Sequence, residues 1–451
     1  MKTVDIIERI EGEAKLVCQW DNNRIKDARI EFLNFRGFEY ILENKAPLDA
    51  LVYTPRICGI CGQAHLKATV EALEDIYKNI GAELKVTKKA KLLREIGLNI
   101  EIIDSHIKWF YMFIMPDMIK LSKRDFSSYE PLHGEKWLKG LSTASETIKA
   151  LAVIGGQWPH TSYMIPGGVV SDPTLFDLTT MNNYLDSAIN FFEKQFVGVD
   201  FETYLSFSKI DELTNIKGDF KDFIDLCYEN NFNEIGRSHN RHIVLSSSSL
   251  FKMGKVNKRL TNKIDFERIE ENSDYTFNVD KNLQNSNSYT WSKSVKYGNN
   301  FYETGPLSRA VVSKREFLSA LYENYQDSVL VRVMARMDEL AHLLYNTKKL
   351  IKEINISEES ATKVSYSLND INSAEGQGVV EASRGSLYHK VTIEEGKIQK
   401  YDVITPTVWN LGPGSLDNQS IAQKAIIGLD SIEKAQIVLR SFDVCSVCTT
   451  H

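Results

Sequence analysis

Two cysteine pairs of identical spacing stand near opposite ends of this chain. Cys58 and Cys61 lie in RICGICGQAH (Arg56 to His65), and Cys445 and Cys448 lie in SFDVCSVCTTH, which closes on His451. If both pairs serve one site, almost the whole of the 451 residues is a single loop whose ends must meet. Small zinc ribbons and knuckles close short loops, so a shared site here belongs at the centre of a large body spanning 1–451. No Pro/Gly-rich linker or internal repeat cuts the chain into smaller units.

Composition narrows the chemistry. Six cysteines (Cys18, Cys58, Cys61, Cys227, Cys445, Cys448) are too few for a disulfide scaffold in a chain this long, and four of them are in CxxC pairs, which favours metal or redox chemistry. The formal charge of -6, with no Lys/Arg block interleaved with aromatics, argues against a nucleic-acid partner. There is no apolar run long enough to cross a bilayer and no charged-then-apolar leader at Met1, so the expected location is cytoplasmic, with membrane association only through a partner.

Periodicity predicts a mainly α chain with smaller α+β parts. Alternation over 14–32 around Asp21-Asn22-Asn23 reads as a β-hairpin, and a second hairpin over 386–404 turns at Glu395-Gly396. Helical patterns cover 66–80, 88–115 after a Thr87 cap, 136–154, and 173–197 with Asp172 as cap and Pro173 at the first position. Ser313-Lys314-Arg315-Glu316 reads as a capping box opening one long helix to about 353, with Phe317, Leu321, Val333, Met337, Leu340 and Leu344 on its apolar stripe. A helix over 430–440 precedes the last cysteines. The stretch 205–310, rich in Asn and Ser but keeping its aromatics, reads as loops with short elements.

On spacing alone the two pairs admit a four-cysteine zinc site, a redox pair, or a metal centre with chemistry. Arg56 precedes one pair, Asp443 precedes the other, and a histidine follows each. Charged and proton-carrying groups around soft thiolates suit nickel or iron as well as zinc.

At this point the residues resemble a known family, the large, catalytic subunit of nickel-iron hydrogenases. The two cysteine motifs carry the likeness. ERIEGE (Glu8 to Glu13), RGFE (Arg36 to Glu39), QWPH (Gln157 to His160) with Pro166-Gly167-Gly168, KYGNNFYETGPLSR (Lys296 to Arg309), EASRGSLYH (Glu381 to His389) and TPTVWN (Thr405 to Asn410) follow in the family's order. The chain departs from the common pattern at Glu13, Ser383 and Val444, where the family usually has His, Pro and Pro. A distant respiratory complex I subunit shares the fold but lacks the four cysteines.

The resemblance implies a long central helix bundle with N- and C-terminal β-hairpins near the metal site, and reversible heterolytic cleavage of H2 at a nickel-iron centre whose iron carries carbon monoxide and cyanide. It implies that Cys58 and Cys445 are terminal on nickel and that Cys61 and Cys448 bridge to iron. Glu11 would relay protons beside the Cys445 thiolate. Arg384 would sit over the open position and donate to cyanide, with Asp443 orienting it, and Thr407 would donate to the other cyanide. His65 would support a bridging thiolate. His451, Glu39 and the carbonyl of Val403 would hold Mg2+ or Fe2+.

Cys18 and Cys227 are too few for an iron-sulfur cluster, so a separate iron-sulfur small subunit is implied, in a heterodimer or larger assembly. A further electron-acceptor subunit or a signalling kinase would complete it. Two alternatives stay open: a regulatory H2 sensor with the same site and slow turnover, and a structural zinc relative without H2 chemistry. Ile60, between the first two cysteines, and Phe113, which regular α-helical phase puts on the side of Ser105 within about one-fifth of a turn, are larger than the Val and Leu of many oxygen-sensitive relatives. They resemble the sensor branch in narrowing gas access, or they are ordinary core.

Overall fold

The computed structural model describes residues 2–448. Both expected hairpins form, and each gains a third strand. Strands β1 (Lys2–Ile6), β2 (Ala14–Asp21) and β3 (Arg24–Phe32) make an antiparallel sheet in chain order. Its tight turn uses Asn22 and Asn23, both at positive φ, as the twist of a two-residue hairpin requires. Strands β4 (Ser373–Ala382), β5 (Gly385–Glu394) and β6 (Lys397–Ile404) repeat the plan near the other end, turning at Glu395 and Gly396.

Between the sheets in the chain lie the helices α1 (Gly62–Asn79), α2 (Lys88–Lys108), α3 (Glu135–Thr147), α4 (Lys149–Gly155), α5 (Leu175–Phe191), α6 (Pro306–Ser313), α7 (Glu316–Tyr325) and α8 (Val329–Lys352), and α9 (Ile432–Ser441) follows the second sheet. Thr87 caps α2 as expected, accepting from the Ala90 N–H. Helix α8 is the axis, touching α2, α5, α6, α7 and α9, and its expected stripe of Val333, Met337, Leu340 and Leu344 is buried. The 205–310 stretch holds short strands and helices, among them Arg241–Val244, Gly254–Asn257 and Asp219–Glu229. One apolar core runs from Ile7 to Val444. No helix among the described residues is long and apolar enough to cross a membrane.

Three expectations are corrected. The cap of α5 is Thr174, not Asp172: Thr174 and Asp177 form the capping box, while the Asp172 carboxylate accepts from the buried Lys89 Nζ. The long helix expected from Ser313 to about 353 is two helices, α7 and α8. Ser313 ends α6, Lys314 enters the left-handed region, α7 follows, and Gln326 breaks the chain again before Ser328 caps α8. The 136–154 pattern is likewise two helices, α3 and α4, meeting at Ile148.

Helix α1, which leaves Cys61 directly, lies on β4 at backbone distance. A Cβ on Gly378 would stand 1.9 Å from the Ala68 carbonyl oxygen, and one on Gly376 2.2 Å from that of Ala72. These glycines share a strand face, so they set how closely the first cysteine pair sits to the hairpin that carries Arg384. Gly378→Ala should lower stability by about 1–3 kcal/mol through overpacking, read as a drop in the thermal unfolding midpoint. An unchanged midpoint would mean that helix and strand can separate freely.

Candidate metal centre

The fold brings all four CxxC cysteines into one buried cluster, flanked by Ile60 and Val447 and set apart from the main core. The Sγ atoms of Cys58 and Cys445 are 3.9 Å apart, those of Cys61 and Cys448 3.6 Å, and those of Cys445 and Cys448 2.9 Å; none is in a disulfide. Metal–sulfur bonds of about 2.3 Å in a tetrahedral set put sulfurs about 3.8 Å apart, so the first two spacings match ligands of a shared ion. The loop before Cys58 is clamped by Arg36, which donates to the carbonyls of Arg56 and Ile57, and by His160, whose Nδ1 donates to the Pro55 carbonyl at 3.0 Å. This gives the RGFE and QWPH motifs a structural task at the site.

Glu11 meets the sulfurs from the N-terminal side. Its Oε2 is 3.2 Å from Cys58 Sγ and 3.7 Å from Cys445 Sγ, and its Oε1 accepts the Gly59 N–H at 2.8 Å. A Cβ on Gly59 would stand 2.9 Å from that oxygen, so the residue after Cys58 must be small for the carboxylate to reach the site. Burial, then the Cys58 sulfur, raises the Glu11 carboxyl to about 7. Burial also pushes the Cys58 thiol up, but hydrogen bonds with Cys445, Cys448 and Cys61 and the Arg384 charge outweigh it and hold Cys58 well below the ordinary thiol range. The carboxyl thus moves up and the thiol down from their ordinary ranges.

Over the sulfurs lies Arg384, held by Asp443. The Arg384 Nη2 is 3.1 Å from the Asp443 carboxylate, and its Nε donates to the Asp443 carbonyl at 3.1 Å. Asp443 also accepts from Arg336 Nη1 at 3.1 Å. Three side-chain atoms in these motifs, Arg384 Nη1, Thr407 Oγ1 and Ser383 Oγ, are buried with no hydrogen-bond partner among the described residues. Native interiors rarely leave such donors unpaired. Four thiolates alone would satisfy a structural zinc; the unpaired Nη1 of Arg384, whose guanidinium interacts with the charges of Cys445, Cys61 and Cys58, fits a centre that carries its own acceptor ligands.

His65 offers a ring nitrogen within 4.8 Å of the Cys61 and Cys448 sulfurs, and its Nδ1 is 3.0 Å from His389 Nε2. Glu39 and Val403 also meet, but through the Val403 N–H, which donates to Glu39 Oε1 at 3.0 Å. Lys293 joins them, with Nζ 3.1 Å from Glu39 and 3.5 Å from Glu271, beside a surface cavity of about 410 Å³. His451, expected to complete this second site, lies outside the described residues.

Ile60 and Phe113 part company. Ile60 packs on the cysteine cluster, whereas Phe113 sits half-buried against the main core. The expected phase assumed a regular α-helix, but Trp109–Ile114 is a π-helix, whose wider turn takes Phe113 off that phase.

Several residues escaped the sequence reading. Glu101 on α2 is buried, and its two carboxylate oxygens accept the backbone N–H groups of Gln63 at 2.7 Å and Ala64 at 3.0 Å, at the start of α1 just after Cys61. Burial drives its carboxyl well above the usual range. Its place between Ile100 and Ile102 in a short apolar run is its only local mark. Arg336, His106 and Glu339 form a further buried network: Arg336 Nη1 meets His106 Nδ1 at 3.1 Å, and His106 Nε2 meets Glu339 at 3.0 Å.

A family model described as nickel-dependent hydrogenase matches residues 36–127 and 132–451. The chain is 27% identical to sulfhydrogenase 2 subunit alpha of Pyrococcus furiosus, over 99% of this chain and 98% of that one. It is 24% identical to the periplasmic [NiFeSe] hydrogenase large subunit of Desulfomicrobium baculatum, over 100% and 94%. Its fold matches the Ni-Fe-Se hydrogenase structure from D. vulgaris Hildenborough in the reduced state with a TM-score of 0.85 at 22% identity, covering 100% of both chains. With the cysteine cluster in place and the family model spanning most of its length, the chain belongs to the nickel-dependent hydrogenase family, as a large subunit of an oxidoreductase acting on H2.

Proposed function

We propose that Cys58, Cys61, Cys445 and Cys448 hold a nickel-iron centre with carbon monoxide and cyanide on the iron, and that H2 is cleaved heterolytically there. The observation that carries this reading is the pairing of four convergent sulfurs with buried, unpartnered donors at Arg384 and Thr407. When bound, the centre supplies the electrophile that polarises H2.

The chain's own residues then act on the proton and the ligands. Glu11 takes a proton from a cysteine Sγ: its carboxylate spans Cys58 and Cys445, which are fully buried, while Glu11 itself is partly exposed, so it links the sulfurs to the outside. Arg384 and Thr407 give their free donors to the cyanides, and the guanidinium offsets the charge of the thiolates. Asp443 fixes the Arg384 plane through two contacts. Glu39 and the Val403 carbonyl would, with His451, hold a second cation, Mg2+ or Fe2+; the Lys293 ammonium is an added neighbour of Glu39.

Electrons leave to an iron-sulfur partner subunit, because Cys18 and Cys227 are too few to hold a cluster; burial raises both thiols, Cys18 to about 12. The enzyme reading is preferred to the sensor reading because only Ile60, and not Phe113, packs on the cysteine cluster.

Metal analysis tests the ligation. The purified protein should hold one nickel, Cys58→Ser or Cys445→Ser should abolish its retention, and the infrared spectrum of the parent should carry carbon monoxide and cyanide bands. A fully metallated sample without those bands would end the assignment. The proton path is tested by Glu11→Gln, which should keep nickel and bands but slow H2/water isotope exchange by about 10²-fold or more, since a carboxamide cannot relay a proton. Exchange close to the parent rate would assign the path to another base.

A further inference from the structure

The residues at the tip of a hairpin are ordinarily on the surface. The tip between β4 and β5 is Ser383-Arg384, closed by the Ala382–Gly385 pair, and it is inside the protein: Ser383 is 1% exposed and Arg384 4%. Arg309 secures its backbone, with Nη1 donating to the Ala382 carbonyl at 2.9 Å and Nη2 to the Ser383 carbonyl at 3.5 Å. Arg309 is itself fixed by Glu339, at 2.7 and 2.6 Å, and by Glu381 at 3.1 Å. The carbonyls of Ala382 and Ser383 are therefore accounted for. The two side chains of the tip are not: Arg384 spends Nε and Nη2 on Asp443 and leaves Nη1, and Ser383 leaves its only polar side-chain atom, Oγ.

A buried hydroxyl without a partner is costly, and an alanine would fill such a place without that cost. The hydroxyl belongs to the residue before Arg384, whose guanidinium is held at 3.1 Å by the carboxylate and by the carbonyl of Asp443, two residues before Cys445, so the unpaired hydroxyl and the unpaired Nη1 share one buried hairpin tip next to the cysteine motif. We infer that Ser383 is a third hydrogen-bond donor to the iron-bound cyanides, a positioning residue beside Arg384 and Thr407. This rests on the nickel-iron reading above. A hydroxyl donating to the cyanide nitrogen withdraws electron density from the ligand and, through it, from the iron, so Ser383 trims the centre's electron richness without touching a metal.

The test is Ser383→Ala in the complete, metal-loaded protein, read by infrared spectroscopy, with Ser383→Thr as the conservative variant. Removal of the hydroxyl should displace one cyanide band relative to the other while nickel and iron contents stay at parent level, and Thr should restore the parent band position. The metal-free Ala variant should unfold at or above the parent midpoint, because there the hydroxyl has no acceptor to lose. Cyanide bands that superimpose in parent and Ala variant at equal metal content would overturn the inference alone. A metallated parent with no cyanide bands would overturn the nickel-iron reading and this inference together.

Discussion

The site depends on one short backbone pairing. Glu11 forms a parallel bridge with Cys445, and its carbonyl accepts the N–H groups of Ser446 at 2.8 Å and Val447 at 3.3 Å. The Ser446 hydroxyl adds a bond to the Glu13 carbonyl at 2.7 Å. These contacts seat the second cysteine pair on the segment that follows β1, and the same residue that receives the backbone sends its side chain to the sulfurs. Position of the ligands and position of the proton acceptor are thus one structural decision. The entropy of closing so long a loop grows only logarithmically with its length, so packing of the intervening helices can hold it shut.

Behind the sulfurs the protein places charge where a helix usually places leucine. On α8, Arg332, Arg336 and Glu339 stand at i, i+4 and i+7 and are all buried, paired with Glu303, Asp443 and Arg309. Burial, partly offset by the Glu339 hydrogen bond, lowers the His106 ring to about 4, so it stands neutral between Arg336 and Glu339. Each ion here is tolerable only because its partner is present, and removing one member leaves an uncompensated charge in the interior. Such a network contributes rigidity around Arg384 more than net stability.

This explains which parts were legible in the sequence. Cys58, Cys61, Cys445, Cys448, Glu11, Arg384, Asp443, Thr407 and His65 sit inside short motifs whose residue types are peculiar to one chemistry, and the fold gathers them. The apolar stripe of α8 was readable from its period, but its charged face looks in sequence like a solvated one, because nothing local tells a buried Arg336 from an exposed one. Glu101 was invisible for the same reason: its partners, the N–H groups of Gln63 and Ala64, are distant in sequence. The breaks at Lys314 and Gln326 were missed since both residues sit at positive φ without being glycine, a tertiary demand overriding local preference.

The π-helical turn at Trp109–Ile114 has a wider effect than displacing one phenylalanine. It divides a continuous rod into two halves that no longer share a rotational phase. The half bearing Glu101 and His106 keeps the angle that the cysteine site requires, while the half beginning at Met115 is turned to suit Asp117, whose carboxylate takes the Arg440 Nε at 2.9 Å. The turn works as a clutch: it lets the outer half, where Met115, Asp117 and Met118 are buried, take the rotation that the Arg440 pairing needs without turning the half that faces the cysteines.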